Sequence, residues 1–227
     1  TGTPVITFLS RRSYAYANAG KMLGSTMSCP PSTAADTSAL YSEGPFTFTV
    51  ARSYVCPDEP EGALVASSSG SGSADPGFAS GAASAVINYD VSLNTTVTGK
   101  SGVYMNAVGG HSFELRFQIE GAAIPFVADC ADAGADPQDK LDVALSKEGS
   151  GAVFTYNGGP DNPNQSFGGM LDPGIYTFLA SRNIHLISSE QASDVANGSV
   201  QVRIGQTATR SGDRNSRRDR NLIKTQP

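Results

Sequence analysis

Hydrophobic and polar residues alternate with a period of two along most of this chain, and a helical period of 3.6 hardly occurs. Residues 45–55 (PFTFTVARSYV), 85–93 (AVINYDVSL), 111–119 (HSFELRFQI), 140–146 (KLDVALS), 151–156 (GAVFTY), 175–187 (IYTFLASRNIHLI) and 197–205 (NGSVQVRIG) read as strands. Their β-branched and aromatic side chains suit a half-buried pleated surface. Turn-forming residues punctuate them at 109–110 (GG), 157–164 (NGGPDNPN) and 171–174 (LDPG). Many short strands bounded by such turns predict an all-β fold, an antiparallel β-sandwich of jelly-roll-like type.

Two stretches depart from the alternation. Residues 63–85 are dominated by Gly, Ser and Ala, which fits either a strand pair with a small-residue face or a flexible linker. Residues 4–9 (PVITFL) are apolar at successive positions, with Val5, Ile6, Phe8 and Leu9 carrying the bulk, and Arg11 and Arg12 follow at once. A run apolar on both faces needs cover on both, whereas an edge strand at a terminus is usually polar on one. It is expected either to add as a donor strand to a neighbouring subunit or to be an ordinary first strand of its own sheet. The organisation this gives is an N-terminal strand over 1–9, a β-sandwich domain over 10–209 and a basic tail over 210–227.

Composition narrows the setting. The chain has 227 residues, 39% of them hydrophobic, enough for one substantial core. Charged residues are 16%, below the roughly 25% of an average globular protein, and Trp is absent. Such a small, polar surface suits a protein secreted to the outside or held at the cell surface. No run of about 18 apolar residues occurs, so no membrane span is expected. The chain opens at Thr1 without an initiator Met or an apolar leader, from which the expectation is that any export signal has been removed.

Three cysteines are too few for a disulfide scaffold, and none has zinc-ligand spacing. Cys29 and Cys56 each sit beside proline in a loop and are expected to pair, leaving Cys130 either buried as a small hydrophobe or pairing between chains. The formal charge of −5 hides an asymmetry: from residue 210 on, six basic residues (Arg210, Arg214, Arg217, Arg218, Arg220, Lys224) face two acids, so the tail is +4 and the body −9. An acidic body with a basic tail attracts its own copies or another polyanion.

The second half carries a more specific order of signals. FELRFQI, a segment with Pro125-Phe126, LDVALSKEGSGAVF, SFGGMLDPGIYTFLAS and SVQVRIG follow one another, and Gly169, Leu171, Pro173, Gly174, Tyr176 and Phe178 form a G-x-L-x-PG-x-Y-x-F phrase before the long penultimate strand. With RRSYAYANA at 11–19 and PFTFTVARS at 45–53, this resembles the secreted β-sandwich proteins of environmental bacteria, many of them exported as PEP-CTERM (exosortase-sorted) proteins. The resemblance covers residues 10–205 in outline and implies an extracellular or cell-surface sandwich. The Pro-Glu-Pro signal and the membrane helix of that family are missing here, so its sorting and anchoring do not carry over.

Candidate chemistry is sparse. Nucleophilic catalysis needs a base beside the nucleophile, and only His111 and His185 exist, both within strand patterns and without a GxSxG elbow. Paired carboxylates for glycoside hydrolysis lack the Trp platforms that would accompany them. Asp129, Asp132, Asp136 and Asp139 cluster in an expected loop and form the candidate calcium ligands, set against a simple solvated acidic turn. Sequons begin at Asn94, Asn164 and Asn197, so attached glycans are a candidate feature wherever the host glycosylates. Arg214, Arg217, Arg218 and Arg220 could strap onto an acidic neighbour, solubilise the chain or meet phosphates, although Asp213 and Asp219 interrupt the run and argue against nucleic acid. Together these readings point to a non-catalytic, secreted structural subunit that assembles with its own copies into a filament or surface layer. The alternatives are a monomeric carbohydrate- or calcium-dependent adhesin and, third, a viral coat protein.

Overall fold

A chain with period-two patterning and almost no helical stretches must satisfy its backbone groups between strands. The computed structural model, which describes residues 2–23, 26–27, 32–40, 44–56, 64–98, 104–134 and 139–205, does so with thirteen strands and no helix among those residues. They are β1 (Val5–Leu23), β2 (Thr26–Met27), β3 (Ser32–Leu40), β4 (Phe46–Cys56), β5 (Leu64–Asp75), β6 (Ala85–Thr98), β7 (Tyr104–Glu120), β8 (Ile124–Ala133), β9 (Leu141–Lys147), β10 (Gly151–Asn157), β11 (Asn164–Leu171), β12 (Gly174–Ser188) and β13 (Ala192–Ile204). All pairings are antiparallel.

One sheet runs β10-β9-β12-β7-β1-β2, with β3 also on β1; the other runs β11-β8-β13-β6-β5-β4. From β7 onward the chain crosses repeatedly between the sheets, β9 and β10 forming the one hairpin within a sheet, so the predicted sandwich of jelly-roll-like type is what the residues build. Between the sheets lies an aromatic core, in which Phe117 stacks on Tyr176 at 5.7 Å and Phe154 links Phe126 to Phe167 at 6.0 and 4.7 Å. Towards the other end of β7 the filling changes to Ala19, Ala66, Val97, Met105 and Ala107. Small residues on the inner faces there leave less to fill between the sheets.

Several expectations need correction. Gly109 and Gly110 do not turn the chain: β7 runs straight through them. Gly110 instead gives up its side chain so that the Tyr16 ring can lie across it from β1, since a Cβ there would meet ring atoms at 2.5 and 2.7 Å. The Gly/Ser-rich stretch is half strand and half connection. Leu64–Asp75 is β5, paired with both β4 and β6, and the residues after it are an irregular connection. The acidic stretch 129–139 begins as strand, because β8 extends to Ala133.

The N-terminal segment lies along its own sheet as the start of β1. Val5 to Phe8 pair with Glu120 to Phe117 of β7, and Ile6 exchanges backbone hydrogen bonds of 2.8 Å on its other side with Gly81 and Ala82. Ile6 is fully buried and Phe8 packs against the core. Within the chain this stretch thus has partners on both backbone edges, as an ordinary first strand would. The boundary expected at residue 9 falls inside β1, at the register shift between Phe8 and Ser10 where Leu9 is the extra residue.

Candidate functional site

The polar side chains on the inner faces show where chemistry could reside. Along β1 the inward positions Arg11 and Ser13 interrupt an apolar series, and on β7 His111 does the same. Ser13 and His111 meet between neighbouring strands of one sheet, and the imidazole reaches across to the other. His111 Nε2 lies 2.8 Å from Ser13 Oγ, and His111 Nδ1 lies 2.9 Å from Tyr89 Oη of β6. Phe48 of β4 covers the imidazole face at 3.4 Å between ring centroids, nearly parallel at 3°. Burial pushes the imidazole down to a pKa of about 3 and raises the Tyr89 phenol well above its ordinary value, so the ring is neutral and both its nitrogens are bonded. A serine, a histidine and a third group orienting the ring have the connectivity of an activated nucleophile. Here all three are closed off, with His111 1% and Ser13 6% exposed, and the arrangement acts as a polar tie between the sheets.

A second buried centre joins Arg182 of β12 to Asp132 of β8, an ion pair with both side chains at 0% exposure. Asp132 also accepts from Leu141 N at 3.0 Å and from Gly134 N at 3.1 Å. Nearby, Tyr156 donates to the Asn162 carbonyl at 2.8 Å, and burial together with the Asp132 charge raises its phenol to about 12.

This accounts for the expected calcium ligands differently. Asp132 faces the interior and is committed to Arg182. Asp129, one pleat away on the opposite face, takes Ser166 Oγ and Arg203, each at 2.6 Å. Asp139 accepts from the His185 amide at 2.9 Å. Asp136 lies outside the described residues. Alternation along β8 splits the acids between two faces, and among the described residues no group of three or more acid, His or Cys side chains gathers for a metal.

Of the other expected site residues, Cys56 ends β4 while Cys29 lies outside the described residues, as do Arg214, Arg217, Arg218 and Arg220. Cys130 is a buried free thiol, pushed up to about 12 by burial and then by Asp129. Val5, Ile6, Phe8 and Leu9 belong to the packed start of β1.

The surfaces divide by chemistry. The outer face of the β11-β8-β13-β6-β5-β4 sheet carries two adjoining hollows of about 510 and 450 Å³ that share Asp90, Ala131, Asn164 and Ser199. At the rim of that sheet, β11 (NQSFGGML) pairs with β8 in an unbroken register over all eight residues and holds no charge and no proline. The neighbouring rim strand of the other sheet, β10, has a register shift between Ala152 and Phe154, and the far rim strand β4 carries the exposed Arg52. Among the described residues no strand pairs with the outer side of β11.

The fold defines the class: an all-β antiparallel sandwich. No family model matches the chain, and no curated protein matches it. Among solved structures, infectious bursal disease virus Gt strain aligns with 89% of this chain at 10% identity and a TM-score of 0.26. The infectious bursal disease virus VP2 subviral particle aligns with 88% at 12% identity and 0.25, and a structure described as "CBM4 structure and function" aligns with 51% at 11% identity and 0.18. This chain spans 57% of the length of each of the two viral chains and 80% of the third. At such scores neither the fold nor the function of those proteins transfers to this one.

Proposed function

We propose that this protein is a non-catalytic structural subunit, working outside the cell, that associates with copies of itself through the β11 rim of its sandwich. The observation that carries this reading is the rim itself. An exposed strand edge is a template for another strand, and sandwich proteins normally blunt it with charge, proline or a bulge. β10 has its bulge and β4 its arginine, whereas β11 has eight residues in even register with none of these devices. Met170 stands 58% exposed on it, an apolar contact for an incoming strand. The sparse charge of the chain agrees with a surface built to meet its own kind, and the opposed signs of body and tail add a salt-sensitive attraction between copies. The groups most suited to catalysis, His111 and Ser13, are spent on holding the sheets together.

The test is sedimentation velocity of the wild type and of Gly168→Lys over a range of concentrations. Gly168 is exposed, and a Cβ there meets its nearest atoms only at 3.4 and 4.0 Å, so lysine enters without a clash. The wild type is expected to form dimers or larger assemblies and the variant to stay monomeric. A wild type that remains monomeric to about 100 μM, or a variant that assembles equally well, rules the reading out.

A further inference from the structure

We infer that the outer face of the β11-β8-β13-β6-β5-β4 sheet is a binding groove for a neutral saccharide chain, a site contained in one subunit and independent of the proposed association at β11. The register lays the groove out. Ser73, Asp90, Ser199, Ala131 and Asn164 stand side by side on five successive strands, and Asn197 heads the next row. With strands about 4.8 Å apart, such a row is roughly 19 Å long. Serine and alanine along its middle raise nothing above the backbone, which opens the hollows of about 510 and 450 Å³, each within the range of small-ligand sites.

The polar heads around this floor are held in place. Gln201 Nε2 donates to Asn88 Oδ1 at 3.0 Å, and Arg203 donates to Gln201 Oε1 and to Asp129 Oδ2, each at 2.6 Å. Ser166 Oγ then donates to Asp129 Oδ1 at 2.6 Å, so one chain of hydrogen bonds crosses β6, β13, β8 and β11. Groups fixed in this way lose little freedom when a ligand arrives.

The composition of the groove selects the ligand. Amides offer both donors and acceptors, hydroxyls likewise, and Asp90 adds an acceptor; sugar hydroxyls, each a donor and an acceptor, complement that set. Phosphates are disfavoured, because the guanidinium beside the groove, Arg203, is engaged with Asp129 and Gln201 while Asp90 contributes negative charge. None of the large exposed apolar side chains lines the groove, which disfavours an apolar peptide.

The experiment is isothermal titration calorimetry with neutral hexasaccharides of β-1,4-linked glucose, xylose and mannose and of α-1,4-linked glucose. At least one is expected to bind with a Kd of about 1 mM or tighter. Asn197→Ala and Asp90→Ala should each weaken it about tenfold, the loss of one well-placed hydrogen bond, and Ser199→Trp should abolish it by filling the floor. Circular dichroism melting of each variant verifies that it is folded, and any one of the three that is folded suffices. Gly168→Lys, which lies outside the groove, should bind as the wild type does even where it abolishes association. The proposal falls if no sugar of the panel binds, if folded groove variants bind unchanged, if Gly168→Lys loses the sugar, or if sulfated analogues bind more tightly than neutral ones.

Discussion

Arg182 of β12 and Asp132 of β8 form an ion pair wholly withdrawn from solvent, and it bridges the two sheets of the sandwich. Taking two charges out of water is costly, and their attraction offsets that cost only while both are present. Asp132→Ala leaves the guanidinium buried without its carboxylate and should lower stability by about 3–5 kcal/mol in urea unfolding. Replacing both residues by Leu and Met should recover only part of this, since the Leu141 and Gly134 amides still lose their acceptor. Because the carboxylate is taken up by Arg182 and two backbone amides, the loss should be the same in calcium and in EDTA. A deficit confined to calcium-containing buffer would show that the acid binds the ion after all.

His111 makes stability depend on pH. Its pKa is about 3 in the folded protein against 6.5 for an ordinary histidine, so between those values the unfolded chain binds the extra proton. The stabilisation is complete above about pH 6.5 and is lost on acidification towards pH 3, with a slope of up to about 1.4 kcal/mol per pH unit. His111→Phe should be less stable at pH 7, because Ser13 and Tyr89 lose their partner, and should show a flatter acid limb in melting curves taken from pH 7 to pH 4. An acid limb as steep as that of the wild type would mean that His111 is not buried as a neutral ring.

The strands that sequence alone reveals are those whose inner face is continuously apolar, such as β6 with Ile87, Tyr89, Val91 and Leu93, and β9 with Leu141, Val143 and Leu145. What it hides are strands whose inner face is small or polar. β5 reads either as a small-residue strand or as a linker because Ala66, Ser68, Gly70 and Gly72 are what a narrow interior accepts. The middle of β7 reads as a turn because glycine there serves Tyr16 on another strand, which no local pattern can announce.

The buried polar centres left a trace that alternation could have found. Asp132 continues the phase of Ile124, Phe126, Ala128 and Cys130, and Arg182 continues that of Tyr176, Phe178 and Ala180. Two opposite charges, each in the apolar phase of its strand, call for each other. Which strands face one another is a property of the topology, and neither the groove nor the bare rim of β11 is visible until the strand order is known.

Gly72 of β5 should tolerate no side chain. A Cβ there would stand 2.2 Å from the Asp90 carbonyl oxygen and 2.6 Å from the Phe48 ring, and the carbonyl cannot move without the sheet. Gly72→Ala should cost about 1–3 kcal/mol or more and tilt Phe48 off His111. The second effect is checked by NMR: in this variant the His111 ring protons should titrate at a higher pH than in the wild type. A variant with wild-type stability and titration would contradict the packing described.

Cys130 should be inert in the folded state, since its thiol is buried and its pKa of about 12 leaves almost no thiolate at pH 8. Alkylation at pH 8 followed by mass spectrometry should leave Cys130 unmodified until denaturant is added. The same digest without reductant should contain Cys29 joined to Cys56, a bridge worth about 3–4 kcal/mol for a loop of this size. Rapid labelling of Cys130, or its recovery in the bridge, would overturn this assignment of the three thiols.

The central claim is that copies of this chain meet along β11, and backbone hydrogen exchange reads that edge directly. Amides of residues 164–171 that point away from β8 have no strand partner among the described residues and should exchange fast at low concentration. As concentration rises into the range where assemblies form, their exchange should slow while that of β4, the rim on the far side of the same sheet, stays unchanged. Slowing at β4 instead, or assembly with no protection gained anywhere in residues 164–171, would contradict the account.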